Sequence, residues 1–262
     1  MPSLISHAES EPLSRQLTVT TDPTVNVRHV VKGAIKEASH TLTDAYASDA
    51  ILGWCARGLE HSKHDSFLYN VFKNLINSSS LQSRDFVVQV DGCQGVLVWS
   101  NLPQGCSWTR AIGTVKLARL TGWASAVRAF VRFQPTCDKM RRKVMAEYSQ
   151  EYITIGFLGV LSHQQHKGLG GTLLRHVLEK ADASHYPVYV EVNHPDTVKF
   201  FEHFGFVIRA SAQVSQTPGL SVYFMVRDFV SHIEPKPLRI RPGRRTLTNN
   251  NHNNKKERER EY

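Results

Sequence analysis

The sharpest change in the pattern of apolar and polar positions lies in the second half of the chain. An apolar run rich in aromatic and β-branched residues, Tyr152–Leu161, has the length of one buried strand. The polar segment Ser162–Lys167 and the glycine-rich segment Gly168–Gly171 follow it. Apolar residues then recur at helical spacing, at Leu173, Leu174, Val177, Leu178 and Ala181. The pattern predicts a strand that turns through glycines into an amphipathic helix.

The remaining patterns predict strands and helices on both sides of this unit. Strands are predicted at Val25–Val31, Asp85–Val90, Gly95–Trp99, Val188–Val192, Phe206–Ser211 and Leu220–Val226. Helices are predicted at 34–46, from a cap at Ser48–Asp49 through Cys55, at Phe67–Ile76, and from Pro195 to a stop at Gly205. We place one folded α/β domain at residues 24–231.

A helical insertion is predicted at about residues 104–147. It carries Trp108, Trp123, Phe130 and Phe133 among interleaved Lys and Arg residues. Such interleaving can form a nucleic-acid face, but it more often marks a pair of amphipathic helices whose basic stems lie over an apolar stripe. We adopt the second interpretation.

The two ends of the chain are polar, and we expect residues 1–23 and 232–262 to be disordered. Of the formal net charge of +9, the C-terminal segment holds +5, from nine Lys or Arg and four acidic residues. The remaining +4 suits a domain that binds a polyanionic cofactor. Nucleic acid is therefore expected as a partner only through the basic tail, if at all.

Cysteine spacing and hydropathy indicate in which cellular compartment the protein is expected. The four cysteines form no CxxC or CxxH pair, which favours thiols of a reducing compartment over a metal site or a disulfide. No apolar stretch approaches the ~18 residues of a membrane span, and the N-terminus lacks the order of a signal peptide. We expect a cytoplasmic protein without a membrane partner, with the nucleus as an alternative because of the tail.

The glycine-rich turn predicts an anion site, because a helix N-terminus presents several backbone N–H groups and the positive end of a helix dipole. A phosphate-binding P-loop, GxxxxGK[ST], is absent. A dinucleotide-binding GxGxxG would need glycine where Leu173 stands, although Glu191 lies at about the right distance for its acidic partner. The dinucleotide-binding interpretation therefore stays open, but the missing glycine weakens it.

A third pattern fits best. The segment Gln165–Gly170 matches (Arg/Gln)xxGx(Gly/Ala), and it lies between GFLGVL and the later NHPDTVKFFEHFGF. In this the chain resembles the GNAT-superfamily acetyltransferases, whose pyrophosphate loop has that pattern. The stretch DAYASDAILGW further resembles the opening of the puromycin N-acetyltransferase-like branch, with Ala50 where that branch has Pro.

The resemblance implies a mixed, mostly antiparallel sheet, flanked by helices, whose two central parallel strands splay apart. It implies acetyl-CoA as co-substrate, no metal, and direct transfer of the acetyl group to the amine of a small molecule. The cofactor-binding residues it implies are Leu158, Gly159 and Val160 for the pantetheine arm, then Gln165, His166, Lys167, Gly168, Leu169, Gly170, Gly171 and Thr172 for the phosphates, and also His194 and Phe201.

The chain departs from the family at the position of its usual general acid. A tyrosine is usual where Phe201 stands, and an asparagine where His194 stands. His194 is a weak candidate for the acid, since a histidine at a helix start is more often a cap. Glu191 is the first candidate for the general base, followed by Tyr152 and Glu151. The alternative function is a catalytically impaired protein that binds acetyl-CoA or a partner.

Overall fold

The computed structural model describes residues 26–103, 105–148, 151–215 and 220–230. The segments expected to be disordered, 1–23 and 232–262, lie outside the described residues.

The described residues form one seven-stranded sheet, which is mixed and mostly antiparallel as predicted. Its strands are β1 (Val27–His29), β2 (Val87–Val90), β3 (Gly95–Ser100), β4 (Ile153–Val160), β5 (Val188–Val192), β6 (Val207–Gln213) and β7 (Ser221–Arg227). Their order across the sheet is β1-β2-β3-β4-β5-β7-β6. Only β4 and β5 pair in parallel, and every other neighbouring pair is antiparallel.

Helices flank the sheet. They are α1 (Ile35–Ala45), α2 (Ala50–Cys55), α3 (His61–Gln82), α4 (Trp108–Ile112), α5 (Thr114–Thr121), α6 (Trp123–Val127), a π-helical stretch (Arg128–Phe133), α7 (Gln134–Met145), α8 (Leu169–Ser184) and α9 (Pro195–His203). The predicted cap at Asp49 is confirmed, since its side chain accepts a hydrogen bond from the Leu52 N–H at 2.7 Å.

The core has two parts, one on each face of the sheet. Side chains of successive strand residues point to opposite faces, so Val96 and Val98 pack in the cluster that includes α1 and α3, whereas Leu97 packs in the cluster that includes α8. In β5, Tyr189 belongs to the first cluster, between Val188 and Val190 of the second. Burial on both faces explains why the central strands read as continuous apolar runs.

The insertion differs from the predicted pair of helices. It consists of four short α-helices and a π-helical stretch, because Gly113 (φ 75°) and Gly122 (φ 85°) interrupt it in a backbone conformation that a helix does not contain. Trp123 follows the second break and is 68% exposed, so it does not lie over an apolar stripe of the domain.

The feature that positions the site is a bulge in β4. Val98 pairs with Phe157 and Trp99 pairs with Ile155, which leaves Gly156 as an extra residue. The parallel pairing of β4 with β5 covers only Ile153 to Ile155, so the two strands part beyond the bulge. A Cβ at Gly156 would lie 2.3 Å from the Cβ of Cys106, and only glycine permits this close approach of the insertion.

Candidate active site

A cleft of about 960 Å³ opens where β4 and β5 part. Its walls come from the edge of β4, the glycine loop and start of α8, helix α9, the α1–α2 turn, and the insertion. A cleft at the carboxyl ends of parallel strands is the usual place for a ligand in an α/β sheet.

The glycine loop forms one end of the cleft. Gly168 is the N-cap of α8 in the left-handed conformation (φ 86°), and His166 before it also has a positive φ of 62°. No described side chain caps this helix, and its first bond runs from the Thr172 N–H to the Gly168 carbonyl at 3.0 Å. The N–H groups of the first turn are therefore directed at the cleft end, which can bind an anion.

Most of the predicted phosphate-binding residues line the cleft, but two do not. Gln165, His166, Gly168, Leu169, Gly170 and Gly171 are among the lining residues. Lys167 instead donates to the Gln164 side chain at 2.7 Å, and the Thr172 hydroxyl donates to the Gly168 carbonyl at 3.2 Å. Arg175, nearly two turns into α8, lines the cleft and lies over the ring of Phe204 at 5.6 Å, a cation that the sequence analysis did not single out.

The edge of β4 beyond the bulge presents backbone groups to the cleft. The Leu161 N–H donates to the Gln94 carbonyl on the β3 side. Because alternate residues of an antiparallel strand face the same neighbour, Gly159 also faces β3, whereas Leu158 and Val160 face the cleft. The Val160 carbonyl accepts a hydrogen bond from the Gln165 side chain at 3.3 Å.

The α1–α2 turn touches both separated strands. The Tyr46 hydroxyl donates to the Leu158 carbonyl at 3.2 Å and accepts from the Leu158 N–H at 3.3 Å. Three residues on, Asp49 accepts a hydrogen bond from the Asn193 side chain, just after β5, at 2.8 Å. Burial raises the pKa of Tyr46, so its hydroxyl stays protonated. The turn thus spans the opening between the strands.

The opposite end of the cleft holds a carboxylate in a polar cluster. Glu191 is half-buried and accepts a hydrogen bond from the Tyr189 hydroxyl at 3.0 Å. The thiol of Cys137, on α7 of the insertion, also donates to it. Burial raises the pKa of Glu191 above its ordinary value, while the nearby Arg141 guanidinium and these two hydrogen bonds act in the opposite direction.

Arg141 is buried and fixed within this cluster. Its side chain is 9% exposed and pairs with Asp138 at 2.5 Å. Asp138 also pairs with Arg110 at 2.9 Å, so the two arginines balance the charges of Asp138 and Glu191 when both carboxyls are ionised. Of the two carboxylates, Glu191 lines the cleft and is the one that a cationic group in the cleft would meet.

The insertion supplies the apolar walls beside Glu191. Trp108 and Phe133 line the cleft with ring centroids 6.2 Å apart. Cys106 lines it above the bulge, and burial raises the pKa of its thiol to about 12, which makes it a poor nucleophile. Tyr46, Arg141 and Cys137 could not be assigned to this site from sequence, because they lie on elements brought together only by the fold.

The other predicted catalytic residues have different surroundings. His194 lines the cleft, but its Nδ1 accepts a hydrogen bond from the Asp196 N–H at 3.3 Å, so it caps α9. Tyr152 does not line the cleft and stacks edge-on against Tyr189 at 6.3 Å. The exposed Glu151 accepts a hydrogen bond from the Tyr186 hydroxyl at 2.6 Å. Phe201 lines the cleft, is 3% exposed, and packs against Phe200 and Phe206.

Comparison with known proteins agrees with this geometry. A model of the acetyltransferase (GNAT) family matches residues 97–206, from β3 to the end of the turn after α9. An uncharacterized N-acetyltransferase of Schizosaccharomyces pombe is 23% identical over 185 residues, which cover 69% of this chain and 74% of that protein.

Two solved structures show the same fold. The histone acetyltransferase HPA2 and related acetyltransferase from Corynebacterium glutamicum has a TM-score of 0.54 and 15% identity, over 79% of this chain and 97% of that one. The mosquito arylalkylamine N-acetyltransferase like 5b has a TM-score of 0.51 and 13% identity, over 79% of this chain and all of that one (100%).

Splayed parallel strands and a glycine loop that leads into a helix define the GNAT type of fold. The described part of the chain has this fold, and its residues 97–206 match the model of the GNAT acetyltransferase family. GNAT acetyltransferases use acetyl-CoA as co-substrate and acetylate acceptors such as amines. Among the described residues, no three His, Cys, Asp or Glu side chains group as metal ligands, and no helix is long and apolar enough to cross a membrane.

Proposed function

We propose that the protein transfers the acetyl group of acetyl-CoA directly to the amine of a small molecule. The observation that carries the proposal is the position of Glu191, a half-buried carboxylate in the same cleft as the anion-binding start of α8. One end of the cleft suits the phosphates of the cofactor, and the other suits a cationic acceptor that must lose a proton.

The cofactor would lie along β4. Its pyrophosphate would bind the N–H groups at the start of α8, from Gly168 onward, with Arg175 nearby as a counter-charge. Its pantetheine arm would pair with the cleft-facing backbone at Val160 as an extra strand does, and it would reach Leu158 by displacing the Tyr46 hydroxyl from the Leu158 N–H and carbonyl. The N–H of one of these residues, or of the bulge, would polarise the thioester carbonyl.

The acceptor would approach from the insertion side. Glu191 would attract its ammonium and take one proton, after which the neutral nitrogen attacks the thioester carbon. The nitrogen then releases its second proton to water as the carbon–sulfur bond breaks and CoA leaves as thiolate. A free amine of the lysine type has a pKa near ~10, so this deprotonation has to be assisted at neutral pH. Trp108 and Phe133 would receive an apolar or aromatic body attached to the amine.

Departure of CoA would proceed without the family's usual tyrosine. Phe201 has no proton to donate, and its ring is buried between other phenylalanines. Water entering the cleft, or His194 through the ring nitrogen that does not cap α9, would protonate the thiolate.

As part of the same proposal we retain the likeness to the puromycin N-acetyltransferase-like branch. It is supported by the Asp49 cap of α2 in the DAYASDAILGW segment and by the insertion that walls the acceptor end of the cleft.

A steady-state assay of thiol release with a panel of primary amines tests the proposal. The expected result is CoA release that requires both acetyl-CoA and an amine and yields the N-acetylated product. The second candidate, an acetyl-CoA-binding protein without turnover, is favoured by the missing hydroxyl at Phe201. Tight CoA binding by calorimetry, with no release for any amine, would select it.

A further inference from the structure

The charge of the described domain is concentrated in the insertion. Residues 104–145 contain nine Lys or Arg and one acid, Asp138, whereas residues 26–103 and 146–230 together contain thirteen bases and fifteen acids. The nine bases are Arg110, Lys116, Arg119, Arg128, Arg132, Lys139, Arg141, Arg142 and Lys143. Arg141 is buried beside Asp138, so the other bases give this part of the surface its positive potential.

The same segment exposes large apolar side chains. Trp123, Val127 and Val131 are 68%, 49% and 65% exposed and follow one another at intervals of four. They lie on one face, because α6 continues through Arg128 into the π-helical stretch without a break, and the residues turned inward (Ser125, Ala126 and Ala129) are buried. Val115 on α5 is 56% exposed as well.

A groove of about 410 Å³ adjoins this apolar stripe. Among the described residues, three arginines line it, Arg57, Arg128 and Arg132, together with Val127 and no carboxylate. The Arg128 guanidinium is held in place, since one nitrogen donates to the carbonyls of Arg57 and Cys55 and to the Ser125 hydroxyl. Arg128 thus forms part of the groove wall, and the exposed Arg57 and Arg132 beside it are suited to a phosphate group.

We propose that the outer face of the insertion docks onto a membrane surface that contains anionic phospholipids. The arginines of the groove bind lipid phosphates, and Trp123, Val127 and Val131 enter the boundary between headgroups and acyl chains. Tryptophan is enriched at that boundary. Nucleic acid would also satisfy the arginines, but exposed valines gain nothing from a phosphate backbone. Such binding is adsorption to the membrane surface and needs no spanning helix. It revises the expectation of no membrane partner, which follows from the lack of a membrane-spanning stretch.

Intrinsic fluorescence of the full chain provides a direct readout. Of the four tryptophans, Trp54, Trp99 and Trp108 are buried, at 8%, 6% and 4% exposure, so the solvent-sensitive emission comes from Trp123. Vesicles of phosphatidylcholine mixed with phosphatidylserine should shift this emission to shorter wavelength and sediment the protein, and pure phosphatidylcholine vesicles should do neither. Adsorption should weaken with added salt.

Matched variants localise the contact. Arg57→Gln with Arg132→Gln, at the two exposed arginines of the groove, should weaken adsorption about fivefold for each charge removed. Lys32→Gln with Lys36→Gln removes the same number of charges outside the insertion and its groove and should weaken adsorption far less. Trp123→Ser with Val127→Ser should also weaken adsorption at least about fivefold. Leu81→Ser should not weaken it; Leu81 is 84% exposed, the most of any large apolar side chain outside the insertion among the described residues.

Three outcomes would overturn the proposal, given variants that keep the melting temperature of the wild type. One is no adsorption to anionic vesicles at low salt. Another is adsorption that none of the insertion variants weakens, which would place the contact elsewhere in the chain. The third is binding to duplex DNA that depends on Arg57 and Arg132, with no blue shift on vesicles, which would make this face a nucleic-acid surface. None of these readouts depends on acetyl transfer.

Discussion

At the scale of single residues, Phe201 separates two accounts of how the thiolate leaves. The ring is 3% exposed and lines the cleft, so Phe201→Tyr keeps the packing volume and places one hydroxyl at the cleft. General acid catalysis typically contributes about 10²–10⁴-fold. We expect turnover to rise if proton donation limits the rate, as measured by steady-state CoA release.

His194→Ala is the companion to that substitution. If Phe201→Tyr leaves turnover unchanged and His194 is the donor, His194→Ala should slow turnover. The substitution also removes the α9 cap, which lowers the stability of the fold by about 1 kcal/mol, so turnover is compared at a temperature where both proteins are folded. An enzyme that acetylates an amine and tolerates both changes would show that α9 does not lie beside the thioester.

Glu191 also has a consequence for stability. Burial raises its pKa in the folded state, so folding favours the protonated carboxyl. The stability it contributes is complete below the unfolded pKa of about 4.3 and is lost as the pH rises through the folded value. Glu191→Gln removes the charge and retains an acceptor for the Tyr189 hydroxyl, so we expect its melting temperature at pH 7 to equal or exceed that of the wild type. A clear fall at pH 7 would show that the ionised carboxylate stabilises the fold.

At the scale of elements, the local structure of the glycine loop is what the sequence predicted best. The strand, the polar turn and the helix were all visible in the local pattern, because β4 is buried on both faces and α8 on one. Gly168 adopts φ 86°, and a Cβ there meets nothing within 4 Å, so its role is conformational.

Gly168→Val should weaken CoA binding at least ~10-fold, or about 1.4 kcal/mol. A side chain is strained at this φ and disturbs the N–H groups at the start of α8. Gly92→Val is the matched control, because Gly92 also has a positive φ (64°) with open space, in the β2–β3 turn away from the cleft. The CoA affinities of the two variants, both checked to be folded, are measured by calorimetry. Equal CoA affinity in the two variants would show that the glycine loop does not bind CoA.

Sequence could not reveal how the elements meet. The bulge at Gly156 is a single extra residue in a regular apolar run, and it becomes apparent only against the register of β3. Tyr46 forms a hydrogen bond with Leu158, 112 positions away in the sequence. Cys137 donates to Glu191 from an insertion for which local periodicity predicts only a pair of helices. Such contacts depend on tertiary packing, which local periodicity does not record.

At the scale of the whole molecule, the basic tail is expected to be separable from the fold. Residues 232–262 contain no apolar periodicity, and their composition does not support a core. Removal of the tail should change the melting temperature by no more than a degree or two, since surface changes usually stay below ~0.5 kcal/mol. A larger drop, measured by thermal denaturation, would mean that the tail packs against the domain.

In the proposed function the cleft holds two linked sites, one for the cofactor phosphates and one for the acceptor ammonium at Glu191. Its most direct test is the pH dependence of kcat/KM for an accepted amine in the wild type and in Glu191→Gln. The matched control is Glu151→Gln, at an exposed carboxylate that does not line the cleft.

In the wild type the rate should rise with pH through the raised pKa of Glu191, since only the ionised carboxylate accepts a proton. Glu191→Gln should lower kcat/KM at least about 100-fold, abolish that rise, and leave CoA affinity unchanged. Glu151→Gln should match the wild type. Full activity and an unaltered pH profile in Glu191→Gln would contradict the assignment of Glu191 as the base.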